Sequence, residues 1–384
     1  MYNITALNKI SSKGTNLLTD DYSLSDDISS AEAVLLRSQS MHDLEVPKSL
    51  LSVARAGAGV NNIPVDKYAE EGIVVFNTPG ANANAVKELT LCALLMSARN
   101  VFGAISWASS LTEDLAKTVE KQKSNFAGEE IKGKRLAVIG LGYIGALVAN
   151  AANDLGMKVM GYDPYINVQN ALNLKPSIKL YENIETMLSH ADFVTIHVPY
   201  MPATDKMLND DLFNSMNNKA VLLNFSRDKL VDTDAVKRAL EDKQLHKYIT
   251  DFPTDDLVGT PGVFFIPHLG ASTKESEETC AIMAVNQTMD YLENGNIINS
   301  VNYPNTDAGA KSSKARICVL NKNIPGIIGK LTGILAEKAI NISDLVNKAK
   351  GDYACTIIDV DSDVDAAEIA ESFHFEGIIR VRVL

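Results

Sequence analysis

Hydrophobic and polar positions fall into two alternating rhythms between about residue 30 and residue 300. Short apolar runs (AVLLR, SVARAG, IVVFN, RLAVIG, KVMGYD, FVTIHV, AVLLNFS, YITDF and VFFIPH) are separated by stretches with helical spacing. Strands that alternate with helices predict parallel sheets built from crossover units. Nearly all the runs are continuously apolar rather than alternating, so both faces of each sheet should be covered. The expected bulk of the chain is α/β, doubly wound.

From Asn302 to Lys314 the sequence NYPNTDAGAKSSK loses periodicity and fills with Asn, Pro, Gly, Ser and Lys, the composition of a linker. Beyond it the pattern resumes as strand (RICVLN), helix (PGIIGKLTGILAEKA), strand (ISDLVNKA), a Gly351-Asp352 turn, strand (YACTIIDV), helix (VDAAEIAESF) and strand (IIRVRVL). That order predicts a βαββαβ module.

Composition narrows the classes. A chain of 384 residues, 46% hydrophobic and 22% charged, is long enough for two or three globular domains. Acidic residues outnumber basic ones, 48 to 36, for a net charge of −12, which provides no broad basic surface for nucleic acid. Apolar stretches such as Ala33–Leu36 and Leu91–Met96 fall far short of the roughly 20 residues a membrane span needs, so no membrane partner is expected. The first residues, MYNITALNKISSKG, lack the apolar core of a signal peptide. Cys92, Cys280, Cys318 and Cys355 lack metal or disulfide spacing, which suits small buried hydrophobes in a reducing cytoplasm and predicts no metal.

Candidate chemistry begins at the strand KRLAVIG, which runs into Gly140-Leu141-Gly142-Tyr143-Ile144-Gly145 and a helix; the next strand ends on Asp163, eighteen residues past Gly145. A lone GxGxxG is weak, but strand, glycines, helix, strand and terminal acid in that order are a dinucleotide fingerprint. Gly140 serves the tight turn, Gly142 the approach of amides such as those of Tyr143 and Ile144 to a pyrophosphate, and Gly145 close helix packing. Asp163 can accept both ribose hydroxyls and repel a 2′-phosphate, so the expected cofactor is NAD rather than NADP. Gly57-Ala58-Gly59 has Asn62 where a third glycine belongs, which leaves one dinucleotide site.

Three strand ends carry further candidates. Arg227, after AVLLNFS, has the planar fork that grips a carboxylate. His268, after VFFIP, can exchange a proton near neutral pH. Asp251, Asp255 and Asp256 in TDFPTDD supply carboxylates that can steady an imidazolium. His197, in VTIHVP, reads as a packed strand histidine.

Together RAGAGVNNI, FNTPGANANAVKE, VIGLGYIG, GYDP, FVTIHVP, NFSRDKLVD and PHLGAST resemble the successive signatures of the D-isomer-specific 2-hydroxyacid dehydrogenases, over nearly the whole chain. The trailing βαββαβ, with Asn323-Ile324-Pro325-Gly326 and Asn341-Ile342, resembles an ACT regulatory domain. The resemblance implies two Rossmann-like domains plus the ACT domain: a discontinuous substrate domain (1–98 plus 269–301), an NAD domain (99–268), a linker (302–314) and the ACT domain (315–384). It implies that Arg227 binds the substrate carboxylate, His268 moves the proton and Asp251 contacts the nicotinamide amide. Thr78 and Ser226 fall at cofactor positions. Arg37, Ser38, Ala56, Gly57 and Asn82 fall at substrate positions, Arg37 and Ser38 toward a substrate phosphate.

One departure stands out. Where the family has a glutamate in DVFxxEP, this chain has DFPTDD; matching FPT puts Asp255 in its place, counting from Asp251 puts Asp256 there. Asp255 is taken as the third catalytic residue. The implied reaction is NAD-dependent oxidation of 3-phospho-D-glycerate, with a glycerate- or lactate-type dehydrogenase and a non-catalytic NAD-sensing regulator as alternatives. The ACT resemblance further implies a homo-oligomer and L-serine as an effector at Asn323 and Asn341, with Asn321 standing where some members have histidine.

Overall fold

Five short strands, β1 (Tyr2–Ala6), β2 (Tyr22–Ser25), β3 (Ala33–Leu36), β4 (Ser52–Arg55) and β5 (Val74–Phe76), form a parallel sheet in the order β2-β1-β3-β4-β5. The computed structural model describes all 384 residues. The first two strands precede the predicted alternation because YNITA and YSLS mix polar with apolar positions. Alternate residues feed two cores: Ile4, Leu35, Ala54 and Phe76 pack with Ala284 and Val285 of the helix Lys274–Asn294, while Val34, Leu36, Val53 and Val75 pack with Tyr68. Both faces are covered, as continuous apolar runs require.

The second sheet has seven parallel strands: β6 (Arg135–Ile139), β7 (Lys158–Tyr162), β8 (Lys179–Leu180), β9 (Phe193–Ile196), β10 (Ala220–Asn224), β11 (Leu245–Thr250) and β12 (Val263–Phe265). They lie in the order β12-β11-β10-β9-β6-β7-β8, so β6 has neighbours reached by crossovers in opposite directions. The run VFFIPH departs from expectation: β12 is an edge strand whose Phe264 and Phe265 are exposed. Its apolar letters do not mark a covered strand.

The chain separates into two compact units, Met1–Asn82 with Lys274–Leu384, and Ala83–Thr273. The division falls at 82 rather than 98 because Val86, Ala93 and Leu94 of the helix Ala83–Ala98 pack with Val148 and Ala149 of the helix Tyr143–Asp154. No single helix is long and apolar enough to cross a membrane.

The C-terminal residues form an antiparallel sheet, β13 (Ala315–Lys322), β14 (Ile342–Lys350), β15 (Tyr353–Val360) and β16 (Ile378–Val383), in the order β14-β15-β13-β16. One face packs Ile317, Val319 and Ile358 against Leu331 and Leu335 of the helix Ile327–Glu337 and against Ile369 of the helix Ala366–Ser372 with Phe373 at its end. The other face, with Cys318, Leu320, Cys355 and Ile357, joins the core of the first unit against Tyr291 and Tyr303. Backbone carbonyls anchor the contact: Arg380 donates to Leu50 and Glu71, Arg382 to Tyr291 and Leu292, and Lys350 to Ser300 and Val301.

Residues 302–314 are therefore not a loose linker. Asn302, Tyr303, Pro304 and Thr306 are buried. The Asn302 amide accepts from the Val75 N–H (2.9 Å) and donates to the Ile73 carbonyl (2.9 Å), standing in for a neighbouring strand beside β5. Polar letters here satisfy buried backbone groups, a use that composition does not distinguish from solvation. All four cysteines are free; three are buried, and Cys92 is exposed, against expectation.

Arg316, 1% exposed, pairs with Asp359 through two bonds of 2.8 and 2.7 Å and donates to the carbonyls of Asn294, Ala308 and Gly309. The guanidinium holds the Asp359 carboxyl below the usual carboxylate range. A depressed folded-state value means the stabilisation is present above the ordinary carboxylate pKa of about 4 and fades as pH falls through the lowered value. Asp359→Asn should cost about 3–5 kcal/mol at neutral pH by leaving Arg316 buried without its counter-charge. Urea unfolding should show the wild-type advantage shrinking on acidification below about pH 4; an equal loss at every pH would refute the electrostatic origin.

Candidate active site

In the second unit all strands run parallel, so the loops after β6, β7, β10, β11 and β12 leave one edge of the sheet. Across that edge the sheet order sets out His268, Asp251, Ser226 with Arg227, the glycine turn and Asp163.

The turn is as tight as the spacing predicts. Gly140 has φ +87°, and a Cβ on Gly145 would lie 1.9 Å from the Gly140 carbonyl oxygen. The helix Tyr143–Asp154 starts on Gly142, where no side chain caps the first N–H groups and a Cβ would meet nothing within 4 Å. Free amides in open space at a helix start fit a pyrophosphate. Asp163 accepts from the Leu141 N–H (2.8 Å) and the Tyr165 N–H (2.9 Å), one bond per carboxylate oxygen, so it ties β7 to the glycine turn and keeps lone pairs for ribose hydroxyls. Beside it lies a hollow of ≈ 450 Å³ with Tyr162, Pro164, Leu180 and Tyr181 in its walls.

His197 lies beneath the turn, buried, its ring Nε2 3.0 Å from the Thr195 hydroxyl; burial pushes its pKa down to about 3, which keeps it neutral. It is a packed strand histidine.

Ser226 donates to the Ile196 carbonyl (2.7 Å), clamping β9 to β10, and Asn224 fixes the Arg227 carbonyl (2.8 Å). The Arg227 guanidinium is exposed and donates to the Ser226 carbonyl. Asp251 is 1% exposed. Its Oδ2 accepts from the Gly270 N–H (3.3 Å), two residues past His268, and its Oδ1 is buried with no partner. Burial raises its pKa, opposed by the charges of His268 and Arg227. That orphaned acceptor fits the amide of a nicotinamide. His268 is exposed, its ring centroid 4.6 Å from that of Phe252. Asp255 and Asp256 open a one-turn 3-10 helix, are exposed, and neither hydrogen-bonds nor ion-pairs with His268.

In the first unit the residues at substrate and cofactor positions also share one edge, since β3, β4 and β5 are adjacent and parallel. Arg37 and Ser38 follow β3, Ala56 and Gly57 follow β4, and Thr78 and Asn82 follow β5. The Thr78 N–H donates to the Gly57 carbonyl (3.1 Å), while its buried hydroxyl has no partner. Three contributors escaped sequence reasoning. Asn8 accepts from the N–H groups of Arg37, Ser38 and Gln39 at 2.9–3.1 Å, holding that loop. Arg55 links the loops after β3 and β4 by donating to the carbonyls of Arg37 and Gly59. Glu277 ion-pairs with Arg37 at 2.5 Å. Asn8 follows β1, and recognising that strand as the neighbour of β3 was the signal that would have found it.

In the C-terminal module the Asn323 amide donates to the Gly351 carbonyl (3.0 Å) and that of Asn341 to Asp361. Asn321 is 2% exposed, with a buried Oδ1 that has no partner.

Residues 91–270 match the family model described as D-isomer specific 2-hydroxyacid dehydrogenase, NAD binding domain. The chain is 30% identical over 352 residues to D-3-phosphoglycerate dehydrogenase of Haemophilus influenzae, covering 89% of this chain and 83% of that one. It is 30% identical over 383 residues to the Escherichia coli protein of the same name, covering 95% and 90%. A crystal structure of NAD+-bound 3-phosphoglycerate dehydrogenase from Entamoeba histolytica shares the fold, with a TM-score of 0.63 and 23% identity over 78% of this chain and 98% of that one.

Two substitutions separate the turn from the acid. Gly145→Ala drives a methyl into the Gly140 carbonyl and should abolish NAD binding. Asp163→Ala should weaken NAD while narrowing the preference over NADP. Fluorescence titration with both cofactors measures this, and equal wild-type affinity for the two would remove the role given to Asp163.

Proposed function

The chain belongs to the D-isomer-specific 2-hydroxyacid dehydrogenases, and we propose that it oxidises 3-phospho-D-glycerate to 3-phosphohydroxypyruvate with NAD, the first step of L-serine biosynthesis. The observation that carries the reading is the row Arg227, Asp251 and His268 on adjacent strand ends beside the dinucleotide turn, in a chain aligned almost end to end with two phosphoglycerate dehydrogenases. Bound NAD would supply the hydride acceptor for C2. Arg227 holds the substrate carboxylate in two charge-assisted bonds and polarises the forming ketone. His268 takes the hydroxyl proton on a ring nitrogen. Asp251, through Oδ1, orients the nicotinamide amide, and Thr78 and Ser226 support the cofactor. Asn82 lies at the carboxylate end, where the amides of Ala56 and Gly57 join it on exchanging the Leu36 and Arg55 carbonyls to which they donate at rest (2.8 Å each), and Arg37 and Ser38 hold the phosphate once Arg37 exchanges Glu277 for it. Asp255 or Asp256 fills the third catalytic role only by reaching the imidazole.

The assembly is a homo-oligomer in this reading. Leu95, Met96, Phe102 and Ile105, exposed on the helices Ala83–Ala98 and Val101–Ser109, supply an apolar surface for a second copy. L-Serine is the proposed effector of the C-terminal module, where the Oδ1 atoms of Asn323 and Asn341 can accept from its ammonium.

His268→Asn should lower kcat by roughly 10²–10⁴-fold with NAD affinity unchanged. A near-normal rate would move the proton elsewhere. Turnover should favour 3-phospho-D-glycerate over D-glycerate and D-lactate, and comparison of Asp255→Asn with Asp256→Asn identifies the acid as the one whose loss shifts the pH profile of kcat. Millimolar serine should inhibit the wild type and leave Asn341→Ala unaffected, since an effector acts only through differential affinity for two states; no change in rate or Tm with serine would reduce the module to an assembly device.

A further inference from the structure

We propose that the first unit carries a separate oxyanion site, specific for a small phosphate, in the groove where strand β14 meets the loops around Asn77 and Asn299. The groove is ≈ 490 Å³ and contains no carboxylate among its lining residues. Lys348 and Lys350 project from β14 on one side, and Asn77, Asn299 and Asn305 line the other. In a chain of net charge −12, such a cation-only lining is a local exception.

The donors are held in place. The Lys350 ammonium donates to the carbonyls of Ser300 (3.1 Å) and Val301 (3.0 Å), which leaves one of its three N–H bonds. Neither lysine has an acidic partner within ion-pair distance. Lys350 is exposed at the surface, and the part of it that is desolvated lowers its pKa. Asn305 Oδ1 accepts from the Asn299 N–H (2.9 Å), which orients the amide and leaves the Asn305 NH2 to donate. Asn299 sits at φ +59°, a left-handed conformation, and its carbonyl accepts from the Asn77 N–H (3.3 Å).

An ensemble of ammonium and amide donors without a carboxylate suits an oxyanion and repels a metal ion. A phosphate there would pair with both lysines and join the C-terminal module to the exit of β5. None of the proposed substrate and cofactor residues after β3, β4 and β5 lines the groove, although Asn77 and Pro79 flank Thr78.

The experiment uses the full chain carrying Arg37→Ala, which removes the proposed substrate-phosphate contact, and titrates inorganic phosphate and glycerol 3-phosphate separately by calorimetry. One phosphate per chain should bind, weakened about tenfold or more by Lys348→Gln, the loss of a charge-assisted hydrogen bond at an exposed position that leaves folding intact. Lys350→Met should remove binding and Lys350→Arg restore it, with Tm rising with phosphate only in the variants that bind. Binding of both ligands assigns the site to any phosphate, and binding of glycerol 3-phosphate alone assigns it to an organic one. Absence of binding, or equal affinity in Lys348→Gln, overturns the proposal. Turnover of 3-phospho-D-glycerate is measured with Arg37 intact, so failure of the groove and failure of the proposed activity remain distinguishable.

Discussion

Parallel pairing is the constraint on which the rest depends. A strand can lie parallel to its neighbour only if the chain crosses back over a face of the sheet, so within each of the two larger sheets every strand leaves by one edge of that sheet. Residues far apart in sequence, from Gly140 to His268, are thereby delivered to one line of loops. The reversal at β6, flanked by β7 on one side and β9 on the other, parts the crossovers and opens the crevice that receives a dinucleotide. Backbone topology supplies the ordering; the side chains then need only short local adjustments, such as the Asn224 bond to the Arg227 carbonyl and the Ser226 bond to Ile196.

Those local adjustments determine how much of the site could be read in advance. The glycine turn was legible because its requirement is steric: only glycine tolerates 1.9 Å between a would-be Cβ and the Gly140 oxygen, so the chemistry is spelled in the letters. The strand ends carrying Arg227, Asp251 and His268 were legible for a related reason, as apolar runs announce where a parallel strand stops. Asn8, Arg55 and Glu277 were not, because they act on backbone groups or on partners distant in sequence, and nothing in their own neighbourhood marks them. The strands β1 and β2 were missed because so short a strand need not be apolar throughout, and β12 was misread because an edge strand can be apolar and exposed.

The C-terminal module shows the same limit. Its βαββαβ order was readable from periodicity alone, yet its attachment to the first unit was not. Arg380, Arg382 and Lys350 all donate to main-chain carbonyls, targets that exist at every residue and leave no complementary acid to find. The segment 302–314 was misjudged for the converse reason. Asn302 there completes the bonding of β5, and a polar residue that satisfies buried backbone looks, by composition, like one that faces water.

The DFPTDD segment shows how a tight loop distributes charge. After Thr250 the chain turns at Phe252-Pro253 and enters the 3-10 turn at Asp255, which sets the Phe252 ring against His268 and leaves Asp255 and Asp256 in solvent. The carboxylate whose field reaches His268 is instead Asp251, buried, with one oxygen on Gly270 and the other unpartnered. Burial disfavours its charge, and the neighbouring His268 and Arg227 favour it. The same bond to Gly270 fixes the turn that carries His268. Asp251 is thereby tied to the loop of His268, a connection that Asp255 and Asp256, exposed to water, do not make.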